Sequence, residues 1–84
     1  LAAGPSPARG GLLFALELPE PAAARVEVFD ASGRCVERIL LGPLPAGRHS
    51  RWWRPAPERC AAGAYRARLI AGGRGTSTSL VIVD

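Results

Sequence analysis

A chain of 84 residues, 48% of them apolar and 21% charged, has the make-up of one small globular domain and not of a disordered tail. Its net charge of +4 rests on arginines without a single lysine. These arginines stand singly along the chain, several alternating with apolar residues as on solvated strand faces. No basic run marks a nucleic-acid footprint, so no nucleic-acid partner is expected. No apolar stretch approaches the ~20 residues of a membrane helix, so no membrane span is expected. The opening Leu1-Ala2-Ala3-Gly4-Pro5 has neither an initiator Met nor a signal-peptide layout. The chain is therefore expected to be a module of something longer.

Residues 1–10 carry Gly4, Pro5, Pro7 and Gly10 and read as a lead-in with little to bury. A sandwich domain is predicted over 11–84. Leu12, Phe14, Leu16 and Leu18 share one parity and predict the first strand, which Pro19-Glu20-Pro21 ends because proline cannot donate to a ladder. Val26 and Val28 then alternate with Arg25 and Glu27, the period-2 pattern of a half-buried strand. Asp30-Ala31-Ser32-Gly33 predicts a tight reversal, since Asp bonds the backbone two residues on and Gly accepts a positive φ. An apolar run from Cys35 to Leu41 completes a hairpin.

Residues 42–47 read as a loop, Arg48 to Trp53 as a strand, and 55–59 as an irregular connection. Tyr65, Ala67 and Leu69 alternate with Arg66 and Arg68 in another half-buried strand after Gly63. A glycine-rich turn over 71–75 leads to a last strand from Thr76 to Val83. Six or seven short strands, with turn signals between them, predict an all-β, antiparallel β-sandwich of immunoglobulin or fibronectin type III kind. Phe14, Leu16, Val26, Val28, Val36, Trp53, Tyr65 and Leu69 are its expected core.

Candidate sites are few. His49 is the only histidine, with no nearby nucleophile in sequence, and reads as a structural residue whose ring bonds backbone. Asp30 reads as a turn residue rather than a general base. Cys35 and Cys60 do not have the spacing of a zinc site. They are open to two readings: a disulfide, or two buried thiols. If their strands pair antiparallel, the two lie toward opposite ends of the ladder, which disfavours a bridge. Trp52 and Trp53 point to opposite faces of a strand, so one is core and the other exposed. An exposed Trp leaves a carbohydrate-binding module as one alternative. In the last strand Leu80 and Ile82 alternate with Val81 and Val83, so both faces are apolar. Together with Trp52, these four residues form a possible interface, and a self-assembling surface or filament subunit is the other alternative.

The order of these pieces resembles a known family. It is similar to the immunoglobulin-like module at the C-terminus of many secreted bacterial proteins, a group that includes type IX secretion sorting domains and the Ig-like domain of the flagellar hook-capping protein. Pro5-Ser6-Pro7 stands at the family's Pro-Asn-Pro opening, followed by Leu18-Pro19. Val26-Glu27-Val28-Phe29-Asp30 with Gly33-Arg34 and Val36 matches its V-x-V-Y-D-x-x-G-R-x-V hairpin. Leu44 to His49, with Gly47, matches its L-x-A-G-x-H loop. Trp53 falls at its Trp, and Ala62-Gly63-Ala64-Tyr65 with Leu69 matches S-G-V-Y-x-x-x-L. The chain departs from the pattern at Arg54-Pro55, where Asp-Gly is usual, and at Arg51, where a core Val is common. It also lacks the Lys that often precedes the closing apolar residues.

The resemblance implies a module that is not an enzyme and holds no cofactor or metal. Its expected role is sorting, anchoring or spacing for a larger protein that is secreted or held at the cell surface. Its expected partners are other domains of that protein or the secretion and surface machinery.

Overall fold

The computed structural model describes residues 1–5, 11–56 and 58–82. Seven strands run in chain order: β1 (Ala2–Pro5), β2 (Leu12–Leu18), β3 (Ala22–Phe29), β4 (Cys35–Leu44), β5 (Gly47–Trp53), β6 (Gly63–Ala71) and β7 (Arg74–Ile82). They form two antiparallel sheets, a three-stranded one ordered β1-β2-β5 and a four-stranded one ordered β4-β3-β6-β7. An immunoglobulin constant domain has its fourth strand beside the fifth. Here the fourth strand joins the opposite sheet, the fibronectin type III arrangement. Ala2–Pro5, within the expected lead-in, is paired with Leu12–Ala15 as an edge strand. The Pro7 end of the expected Pro-Ser-Pro opening lies outside the described residues.

Strand alternation builds the core. Leu12, Phe14, Leu16 and Leu18 face inward from β2 and Trp53 from β5. Ala24, Val26 and Val28 from β3, Ala67 and Leu69 from β6, and Leu80 and Ile82 from β7 meet them from the other sheet. Phe14 and Trp53 stack at 5.6 Å between ring centroids with an interplanar angle of 29°, the offset geometry that aromatic pairs favour. Six of the eight expected core residues are buried. Val36 and Tyr65 are half-buried at the margin of the core. Val36 is the extra residue of a bulge, since Phe29 pairs with Cys35 and Val28 with Glu37.

The β3–β4 hairpin turns in three residues. The Gly33 N–H donates to the Asp30 carbonyl at 3.0 Å, the Asp30 N–H donates to the Arg34 carbonyl at 2.9 Å, and Gly33 sits at φ +90°. This is a type I turn closed by a left-handed residue, which glycine adopts without the clash a Cβ would bring. The β6–β7 turn is tighter than its five-residue glycine-rich stretch suggests. Ala71 pairs with Arg74, leaving only Gly72 and Gly73 between them. The strand β4 runs on to Leu44 through residues expected to form a loop, because a second register shift opposite Ala24 and Arg25 absorbs Leu41.

Both cysteines are free thiols, Cys35 exposed and Cys60 buried. The reading of two buried thiols is corrected for Cys35, and β4 and β6 do not pair with each other but flank β3 on either side. Cys35 stands opposite Phe29 on the outer face, whereas Cys60 is buried in the β5–β6 connection. Burial pushes the Cys60 thiol pKa up, with Glu37 adding to the effect, so this thiol stays protonated and behaves as a small apolar group.

Candidate functional site

The residues singled out by motif fall first into structural roles. Asp30 Oδ1 accepts from the Ser32 hydroxyl at 2.6 Å, the Ser32 N–H at 2.9 Å and the Arg34 N–H at 3.0 Å. The Ser32 hydroxyl is the largest of the effects that hold this carboxyl below its ordinary value of 3.8, ahead of the backbone bonds and Arg34. With its folded-state pKa lowered, the ionised turn stabilises the fold above the ordinary value and loses that contribution as pH falls through the lowered one. The His49 ring Nε2 lies 2.7 Å from the Pro45 carbonyl, so Nε2 carries the proton and pins the crossover from β4 to β5. The expected bond from ring to backbone is present.

Tyr65 carries a feature that alternation alone does not reveal. Its hydroxyl donates to the Ala61 carbonyl at 2.6 Å, clamping the start of β6 to the connection before it, as the tyrosine corner does in immunoglobulin sandwiches. The signal in the sequence is a Tyr two residues before the inward Ala67. Desolvation is the main cause that raises the Tyr65 pKa. Gly47 and Gly63, both at positive φ, begin β5 and β6.

The shallow recesses hold few titratable groups: one is lined by Glu17, Arg48 and His49, another by Asp30, Tyr65 and Arg66 among others. A cleft of about 210 Å³ at one end of the sandwich is lined by Leu18, Pro19, Ala22, Leu69, Gly72 and Thr76 among others, without His, Cys or Ser. Among the described residues no three His, Cys, Asp or Glu side chains converge as a metal set would. The tryptophans divide as strand geometry requires, with Trp53 buried and Trp52 61% exposed. Trp52 pairs with Leu13 on the outer face of the three-stranded sheet. Of the five aromatic residues, only Trp52 is exposed. A lone ring is a poor platform for a sugar.

The interface expected on the last strand is narrower than the four residues named for it. Leu80 and Ile82 point inward and are buried, while Val81 is 61% exposed. Val83 lies outside the described residues.

The sheet edges differ in a way that matters more. An open edge presents unpaired N–H and C=O groups, and proteins guard such edges with bulges, prolines, short length or inward charges. Three of the four edges are guarded. On β4 there are two register shifts, Pro43, and Glu37 at an inward position. Glu37 is held at 3.4 Å by Arg59. Arg51 on β5 occupies the position opposite the buried Phe14, an inward site on an edge strand. Arg51 is exposed there. The edge strand β1 has four residues and ends at Pro5.

Among the described residues, β7 itself carries no bulge, proline or inward charge, and β1 of the other sheet approaches it from one side. The nine residues of β7 pair in unbroken register with β6 alone, and after Arg74 the strand carries no charge and no proline through Ile82.

A family model described as the FlgD Ig-like domain matches residues 5–74, ending where β7 begins. No curated protein and no solved structure matches the chain. The match spans the hairpin, the His49 loop, Trp53 and the Tyr65 corner just described. The chain belongs to the FlgD Ig-like domain family, as an accessory Ig-like module of the flagellar hook-capping type.

Proposed function

We propose that this domain is a non-catalytic C-terminal module of a larger secreted bacterial protein, which it sorts, anchors or spaces at the cell surface. It does so by offering the open edge of β7 to a neighbouring domain or to the surface machinery. The observation that carries this proposal is the contrast among edges: β1, β4 and β5 are blunted, and β7 alone is long, regular and uncharged beyond Arg74. A strand added there gains main-chain hydrogen bonds for affinity, and pockets for alternate side chains give it selectivity. Removing residues 1–84 from the parent polypeptide is expected to leave the activity of its other domains intact and to abolish export or surface attachment, read by cell fractionation. Unchanged export and attachment would overturn the proposal.

A further inference from the structure

Arginines are distributed unevenly over the outer face of the four-stranded sheet. On the β3–β4 side, Glu27 forms ion pairs with two arginines, 3.1 Å from Arg38 and 3.6 Å from Arg25, and it also stands opposite Arg68 across the β3–β6 ladder without forming an ion pair with it. On the β6–β7 side, Arg66 and Arg68 form no ion pair among the described residues. Outward neighbours on β7 are small: Arg66 faces Ser79, Arg68 faces Ser77, and Ile70 faces Gly75. Arg68 uses that space. A Cβ placed at Gly75 would stand 3.0 Å from its Nε and 3.2 Å from its Nη2, so the guanidinium lies over β7 at Gly75.

We infer that the strand which adds to β7 belongs to a different chain or domain and carries acidic side chains on its outward face, recognised by Arg66 and Arg68. This rests on the β7 edge being the docking site. Residues two apart on one strand face are roughly 7 Å apart, and a strand added to β7 would lie about 5 Å beyond it. Alternate carboxylates on that strand fall into register with the two arginines, over a ledge of Ser77 and Ser79 too small to block them. Charge complementarity sets partner choice and register here. The same arginines act against a second copy of this chain, because pairing β7 with β7 brings unpaired guanidinium groups toward their equivalents, and like charges in neighbouring strands repel.

The test uses nine-residue peptides in which Val alternates with Glu, Gln or Lys, plus a Glu peptide interrupted by prolines. Each is titrated into the 84-residue chain at low salt while the backbone amides are followed by NMR. The Glu peptide is expected to shift β7 amides and to bind roughly five- to tenfold more tightly than the Gln peptide, with the Lys peptide weakest. Arg66→Glu combined with Arg68→Glu is expected to reverse the order of the Glu and Lys peptides. Should that variant fail to fold by circular dichroism, Arg66→Gln with Arg68→Gln is expected to equalise the three.

Equal binding of Glu and Gln peptides, with β7 amides still shifting, would overturn the acidic selectivity and leave the edge standing. If the proline-interrupted peptide binds as well as the Glu peptide, the edge itself fails and this inference with it. Failure of every peptide to bind would overturn both, and dimerisation through β7 in sedimentation would make a second copy the occupant.

Discussion

Phe14→Ala is expected to cost about 3–5 kcal/mol, the range for deleting a buried aromatic side chain. Phe14 is 1% exposed and stacks on Trp53 across two neighbouring strands, so alanine opens a cavity and also breaks the aromatic pair. At roughly 0.05–0.15 kcal/mol per residue, a domain of this size holds only about 4–13 kcal/mol. The variant is therefore expected to lose a large share of that stability, whereas Phe14→Leu retains most of the volume and costs less. Urea denaturation followed by tryptophan fluorescence measures the difference. A loss below about 1 kcal/mol would place Phe14 outside the core.

The second large effect is a contrast between two leucines. Leu69 is inward on β6, opposite Val26, and Leu69→Ala is expected to cost on the order of 2–4 kcal/mol. Leu40 is outward on β4, opposite Arg25, and is 75% exposed. There the same substitution is expected to fall within about 0.5 kcal/mol. The chemistry removed is identical, so the gap between the two measures which sheet face is buried. Similar costs at both sites would mean the faces of the four-stranded sheet are misassigned.

The alternation of Leu12 to Leu18, of Val26 and Val28, and of Tyr65 to Leu69 made the strands and their faces legible in the sequence. The turn at Asp30-Ala31-Ser32-Gly33 was legible for the same reason, because its chemistry is local. What escaped depends on neighbours distant in the chain. The pairing of β4 with β3 alone, which separates Cys35 from Cys60, is a matter of topology. The half-burial of Val36 follows from a bulge that opposes two residues to one. The oddity of Arg51 was visible as a departure, but its place on an edge strand was not. Alternation separates Leu80 and Ile82 from Val81 on the last strand. That Leu80 and Ile82 belong to the core, leaving Val81 outward, required knowing which face β6 buries. The lean of Arg68 over Gly75 left no mark in the pattern, beyond a glycine where a strand usually has a side chain.

Site-specific photo-cross-linking in the intact parent protein, in its own cell, tests most directly whether the edge of β7 is where this module works. A photoreactive side chain is placed in turn at Val81, at Leu40 and at Trp52, three exposed positions on β7, β4 and β5. Cross-links to a discrete partner or neighbouring domain are expected from position 81, with none from positions 40 and 52. Cross-links from 52 or 40, with position 81 silent, would contradict the account.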